Sequence, residues 1–457
     1  MTTTLHLSPF YWQGTWVDGD DVERLLASLR TPANTLTVST ETVIKACERL
    51  SSELNTPSSH PYMTLRDELT GPQSHPLSGT DADRCLQELA EALDPAHLRA
   101  RVLAELGTNS TPTAARGAAV EEAWYPVGTL VHIAPSNVAI AGILSVVEGL
   151  LAGNLNVVKI SGRDSLFTHR AASLLADLDP TGEIRQNVII LRFPSTNTAW
   201  LRQICCHADA IAVWGTEEAV TAVTAHAPAG SRVVDWGPKL SLAYIDNLQQ
   251  DSAPDFRPLA GDILRNAQRS CSSPQIVYVN TTDDGLVFET ASRLAQSLAA
   301  VQADYPPITP TDAEQAEITN VVTVASLEQH LDLTRVISAT DGRWHVLADT
   351  RSTPDASPLY GTIWVKPLPS RMIHAVLHPM RRYLQTIGLH AEPNAVTELS
   401  DTFFKAGALR ITPLGAMQRS YPGEPHDGVL ALQRYSRRVS RQSLSATGDE
   451  ETPSASH

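Results

Sequence analysis

Cys271 stands within Ile263-Leu264-Arg265-Asn266-Ala267-Gln268-Arg269-Ser270-Cys271-Ser272-Ser273-Pro274-Gln275, a stretch whose residue types suit nucleophilic catalysis. The pattern predicts a helix that ends just before a polar turn carrying the thiol. Pro274 blocks continuation of the helix and holds the residue before it extended. The thiolate is the reactive form of cysteine, and a polar, partly exposed turn favours it. The competing role is that of a small buried apolar residue, and the stretch alone leaves both open. Two other groups attract notice by type. Cys205-Cys206-His207 looks like a metal fragment, but no second ligand pair stands at zinc spacing, so it reads as a buried helix end. His426 in Pro425-His426-Asp427-Gly428 reads as a packed loop histidine, with a functional role as the alternative.

The chain that must position these groups has 457 residues, enough for two or three domains. Hydrophobic residues make up 42% and charged residues 19%, a globular composition. A net charge of -15 argues against nucleic acid as a partner, because phosphate contacts need clustered Lys and Arg. Five cysteines in so long a chain do not make a disulfide framework, which fits a reducing cytoplasm. No basic region followed by an apolar run opens the sequence, so no signal peptide is expected. The most apolar window, Val138 to Leu151, is too short to span a bilayer and contains Glu148.

Residues 1–120 read as a mostly helical segment after a short β-like opening at Phe10-Tyr11-Trp12, packing on the domain that follows. Residues 51–82, rich in Pro, Ser, Thr and Gly, read as a long loop. Over residues 121–250, short apolar strands alternate with helices: Leu130–Ala134, Leu155–Ile160, Val188–Leu191, Ala210–Trp214 and Arg232–Asp235 are the strands. That alternation predicts a parallel sheet covered on both faces, with ligands outside the carboxyl ends of its strands. A nucleotide-binding domain is the natural reading, although no G-x-G-x-x-G fingerprint follows the first strand. Gly215-Thr216 lies at a helix start, where free N–H groups suit a phosphate; a plain N-cap is the alternative.

Residues 251–415 read as a second α/β domain carrying Cys271. Its expected strands are Gln275–Val279, Val321–Val324, Trp344–Leu347 and Thr362–Val365, with helices at Ala291–Ala300 and His374–Leu384. Residues 416–436 read as a compact loop region and 437–457 as a disordered tail.

The order of these parts resembles the aldehyde dehydrogenase superfamily, and within it the LuxC family of acyl-CoA reductases from bacterial bioluminescence fatty acid reductase. The resemblance is carried by Gly128-Thr-Leu-Val-His-Ile-Ala-Pro-Ser-Asn137, Ala152-Gly-Asn-Leu-Asn-Val-Val-Lys159, Val213-Trp-Gly-Thr216, Asp235-Trp-Gly-Pro-Lys239 and Ser270-Cys-Ser-Ser-Pro-Gln275. Leu384-Gln-Thr-Ile-Gly388, Arg410-Ile-Thr-Pro-Leu-Gly415 and Pro425-His-Asp-Gly428 add to it. Together these segments span roughly residues 120 to 435. The resemblance implies an α/β fold with a Rossmann-type nucleotide domain and a second, catalytic α/β domain.

It also implies a chemistry. Cys271 would attack the carbonyl of an acyl-CoA or another acyl thioester, and Asn137 with the Cys271 backbone N–H would hold the oxyanion. Hydride from a nicotinamide would release a fatty aldehyde. Hydrolytic relatives carry a glutamate where this chain has Asp235, which suits a reductase that keeps water from its acyl-enzyme. Asp235 either helps deprotonate Cys271 or only ends a strand. NAD-preferring relatives carry a glutamate three residues after the lysine matching Lys159; here that position is Gly162, flanked by Ser161 and Arg163. The lost negative charge and the added cation imply NADPH. An acyl-protein synthetase or acyl carrier protein as partner, and a homo-oligomer, are implied in the same way. The alternatives are an oxidative aldehyde dehydrogenase and a non-catalytic subunit of a reductase complex.

Overall fold

The structure, a computed structural model, describes residues 10–29, 38–71, 77–107, 113–114, 120–135, 139–162, 164–246, 254–421 and 423–442. Asn137 and Arg163 lie outside the described residues, as does the end of the expected tail from 443. The chain divides into two compact units, 1–214 with 221–235 and 422–457, and 215–220 with 236–421.

The sheet of the first unit has seven strands. They are β1 (Phe10–Trp12), β2 (Thr15–Val17), β5 (Thr129–Ile133), β6 (Leu155–Ser161), β7 (Val188–Phe193), β8 (Ala210–Trp214) and β9 (Arg232–Trp236), while β3 (Thr113–Ala114) and β4 (Val120–Pro126) belong elsewhere. The strand order is β2-β1-β7-β6-β5-β8-β9, with β5 to β8 parallel and the β1–β2 hairpin antiparallel on β7. Every residue of β5 is buried, as is β6 up to Ile160, because a parallel sheet here is covered on both faces. The direction of winding reverses between β5 and β8, which makes their carboxyl ends the expected ligand crevice.

Residues 51–82 are not a loop. Helices Thr40–Leu54, His60–Thr70 and Gly79–Ala92 run through most of them. The loop-like composition comes from helix starts: Ser59 accepts a hydrogen bond from Tyr62 N, Ser78 from Asp81 N, and Pro61 sits in a first turn.

In the second unit the sheet comprises β10 (Leu240–Ile245), β11 (Pro274–Val279), β12 (Thr334–Ser338), β13 (His345–Asp349), β14 (Thr362–Pro367), β15 (Leu384–His390) and β16 (Arg410–Pro413). The strands lie in the order β12-β13-β14-β11-β10-β15-β16, all parallel except β12. Helices Arg257–Leu264 and Asp284–Val301 bury one face of this sheet; Asp312–Glu328 and Val396–Ala406 contribute to the cluster on the other.

Two sequence readings fail in this unit. Val321–Val324 is helical, inside Asp312–Glu328. That helix opens on a capping box between Thr311 and Glu314, and Ile318 and Ala325 bury at helical spacing, which overrides the β-branched run. The expected helix His374–Leu384 stops at Leu377, Pro379 follows in a short 3-10 turn, and Leu384 already begins β15.

The last described strand, β17 (Ser436–Gln442), corrects the expected start of a disordered tail at 437. It pairs antiparallel with the whole of β4, which also carries β3, in a three-stranded sheet of the first unit. Among the described residues no helix is long and apolar enough to cross a membrane.

Candidate active site

Helix Arg257–Leu264 ends seven residues short of Cys271, earlier than the pattern predicts. The chain then turns through Asn266, Ala267 and Gln268, whose φ values of 52°, 50° and 65° are all left-handed. Such a residue without a glycine costs roughly 1–2 kcal/mol, so the run persists only where its surroundings impose it. They do so here: the Gln268 amide, almost wholly buried, donates to the Pro274 carbonyl at 2.7 Å, and Tyr360 N donates to the Ala267 carbonyl at 3.0 Å.

Cys271 follows as an exposed residue at the amino end of β11. Its carbonyl accepts a hydrogen bond from Ser241 Oγ at 2.8 Å, and Ser241 Oγ accepts one from Thr386 N at 3.1 Å. One buried hydroxyl thus joins β10, β15 and the thiol's backbone. The strand register shifts between Ser241 and Leu242 on the β11 side of β10 and between Leu240 and Leu242 on the β15 side, an irregularity centred on this hydroxyl. The turn itself closes through Ser273 N, which donates to the Ser270 carbonyl at 2.9 Å.

A second bracing group comes from the loop after β16. Gln418 Nε2 donates to Ser273 Oγ at 2.9 Å and to the Asp262 carbonyl at 2.7 Å, and its Oε1 accepts from Ser270 Oγ at 3.3 Å. The buried Asp262 carboxylate accepts from Gly415 N at 2.6 Å and Met417 N at 3.4 Å. Burial raises the Asp262 pKa, while those N–H donors act the other way. Gly388 of β15 leaves room for Met417, since a Cβ there would lie 2.6 Å from Met417 Sδ.

The first unit holds a different polar cluster, at the carboxyl ends of β6 and β7. Lys159 is 4% exposed, and its Nζ donates to Ser195 Oγ at 2.9 Å. Burial lowers the Lys159 pKa and a nearby Asp164 raises it. The ammonium also lies over the Phe193 ring, 5.6 Å from its centroid. Ser161 N donates to Asp164 Oδ2 at 3.1 Å. Burial pushes the Asp164 carboxyl up to about 6, against that N–H and the charges of Lys159 and Arg192. Gly162 has a packing reason as well as the expected electrostatic one. A Cβ there would sit 3.0 Å from Pro194 N and 3.3 Å from Phe193 C, so the ends of β6 and β7 approach closely.

The remaining expected residues are less engaged. Asp235 is an exposed residue of β9. Gly215 and Thr216 start helix Glu217–Thr224, where Thr216 Oγ1 accepts from Ala219 N at 3.4 Å; Glu217 and Glu218 stand in the first turn. That is the plain N-cap alternative, and two carboxylates there oppose a phosphate. The ring of His426 packs against Trp214 at 5.0 Å. Cys205 is buried, its thiol pushed up to about 12 by burial.

The sequence model of the acyl-CoA reductase family LuxC matches residues 36–438. The chain belongs to the LuxC family. It is 25% identical over 320 residues to a long-chain acyl-protein thioester reductase of Vibrio harveyi, covering 70% of this chain and 65% of that protein. It is 26% identical over 312 residues to the protein of the same description from Photorhabdus laumondii subsp. laumondii, covering 68% and 63%. This LuxC-family chain thus spans less than two thirds of the length of these curated relatives. Its fold is that of the aldehyde dehydrogenases. Aldehyde dehydrogenase C of Pseudomonas syringae, solved with NAD+ and octanal, superposes with a TM-score of 0.71 at 15% identity over 98% of this chain and 99% of that one. An NAD-dependent benzaldehyde dehydrogenase from Corynebacterium glutamicum gives 0.69 at 12% identity, over 97% and 99%.

The sequence of this LuxC-family protein singles out Cys271 and Lys159 as candidates but not the residues that brace them. Ser241 and Gln418 reach the Cys271 turn, and Ser195 reaches Lys159, across 30 to 148 residues of chain, visible only in the fold.

Proposed function

We propose that this chain reduces a long-chain fatty acyl thioester to the fatty aldehyde, through an acyl group carried on Cys271 and with NADPH as reductant. The observation that carries this is the exposed thiol on a turn braced from three sides, in a chain of the LuxC family. The Cys271 thiolate attacks the thioester carbonyl; its C–S bond forms as the carrier's C–S bond breaks, and the carrier leaves as a thiol. The backbone N–H of Cys271 and the Asn137 amide hold the oxyanion, each worth roughly 3 kcal/mol in the transition state. A nicotinamide, when bound, would supply hydride for the acyl carbon. The resulting hemithioacetal on Cys271 loses its thiolate, which returns to Cys271, and the aldehyde departs.

In this reading Lys159 hydrogen-bonds the cofactor's ribose hydroxyls, and Ser161 and Arg163 donate to its 2′-phosphate. Gly162 supports this reading by leaving no carboxylate at the position where NAD-preferring relatives carry a glutamate. Asp235 guards against hydrolysis by being too short to serve a deacylating water. The donor is CoA or a protein-borne thioester; the relatives' description as acyl-protein thioester reductases supports the second.

The test is NADPH consumption with decanoyl-CoA, with capture of the aldehyde. Stoichiometric decanal supports the proposal. Formation of decanoate from NADP+ and decanal without CoA, and no reduction of decanoyl-CoA, would instead mark an oxidative dehydrogenase.

A further inference from the structure

We infer that Gln418 is a positioning residue for the nucleophile: one side-chain amide grips the Cys271 turn on both sides and sets the direction of the thiol. The inference rests on Cys271 being the acyl carrier. A glutamine amide has two N–H donors and a carbonyl acceptor. At Gln418 both kinds are engaged, with donation to the Asp262 carbonyl and to Ser273 Oγ and acceptance from Ser270 Oγ. Ser270 precedes the thiol by one residue and Ser273 follows it by two. Ser273 is fully buried, so its hydroxyl has no water to fall back on if the amide is removed.

The amide is itself presented from a fixed loop. Asp262 holds the backbone N–H groups of Gly415 and Met417 through its carboxylate, and Arg410 Nη1 donates to the Met417 carbonyl at 3.0 Å. Gly415 takes φ 82°, and a Cβ there would lie 2.5 Å from Pro258 Cβ, so loop and helix Arg257–Leu264 are in close contact. Met417 is fully buried beside Gly388. The left-handed run Asn266–Gln268 leads directly into the turn that Gln418 grips.

Gln418→Ala, Ser273→Ala and the double variant separate positioning from packing. Two rates are read for each: single-turnover acylation of Cys271 by decanoyl-CoA, and alkylation of Cys271 by iodoacetamide across pH. We expect Gln418→Ala to slow acylation roughly 10- to 100-fold, with the Michaelis constant for decanoyl-CoA nearly unchanged. Ser273→Ala should show a smaller loss, and the double variant should be no slower than about threefold below Gln418→Ala, because both act through one contact. Should Gln418→Ala fail to fold, Ser273→Ala decides alone. Wild-type acylation and alkylation in these variants, a rise in the Michaelis constant alone, or losses that multiply would overturn the inference. If decanoyl-CoA leaves wild-type Cys271 unmodified, the acyl-carrier reading fails; a Gln418→Ala change in the plateau rate of alkylation still supports positioning, and an unchanged plateau rejects it.

Discussion

The Cys271 carbonyl and the side chains of Ser270 and Ser273 bind the turn to its surroundings, so Cys271→Ser should preserve it. We expect an unchanged melting temperature and a loss of reductase turnover of at least about 10³-fold, since an alcohol at neutral pH is a far weaker nucleophile than a thiolate. Asn137→Ala should lower turnover by roughly 10²-fold with little effect on the Michaelis constant; a rise in that constant alone would make Asn137 a pocket residue. Asp164 adds a prediction that the sequence did not suggest. Its folded pKa of about 6 lies above the ordinary 3.8, so the fold favours the neutral acid. Its contribution to stability is complete below pH 3.8 and is lost as pH rises through about 6. Asp164→Asn should therefore melt higher than wild type above pH 6, and the gap should close near pH 4. The same change removes a carboxylate beside Lys159 and should raise the preference for NADPH over NADH by up to roughly fivefold. Gly162→Glu is a poorer test, because its Cβ would press on the Pro194 backbone before any charge effect is felt. Cys271 was legible because its turn has local signals: amides, hydroxyls and a proline in sequence. Ala267 in a left-handed conformation was not, since nothing in its type suggests it.

At the scale of elements, the alternation of apolar strands and helices was readable for β5 to β8 because each strand is buried along nearly its whole length. It failed where composition and periodicity conflict, at the capped helices of residues 51–82 and at Val321–Val324. One close approach could not be read at all. Gly149, in helix Ala141–Leu151, faces the buried pair His132 and Asn156, whose side chains meet at 3.0 Å. A Cβ at Gly149 would lie 1.7 Å from Asn156 Oδ1 and 3.0 Å from His132 Nε2. Asn156 cannot retreat, because its Nδ2 also donates to the Asn154 carbonyl at 2.9 Å. Gly149→Ala should cost about 3 kcal/mol, read as a lower urea midpoint at an unchanged slope. A midpoint equal to wild type would mean that the helix shifts freely on the sheet.

Across the whole molecule, residues 431–442 pack back on the first unit. Arg232 Nη1 donates to the carbonyls of Arg434 at 2.7 Å and Ser436 at 2.6 Å, and the buried Glu105 carboxylate accepts from Leu432 N at 2.7 Å. Arg232→Ala should destabilise the first unit by roughly 1.5–3 kcal/mol and speed proteolysis around residue 436; an unchanged cleavage rate would show that β17 holds without it. Residues 437–442 read as the start of a tail because strand pairing with β4, more than 300 residues earlier, leaves no local mark. The central claim is that Cys271 carries the acyl group. The most direct measurement is intact and peptide mass analysis of the protein after brief exposure to decanoyl-CoA without reductant. We predict one decanoyl group on the Cys271 peptide, absent in Cys271→Ser and discharged as decanal on adding NADPH. An unmodified Cys271 in protein that nevertheless consumes NADPH with decanoyl-CoA, or an acyl group on another residue, would contradict the account.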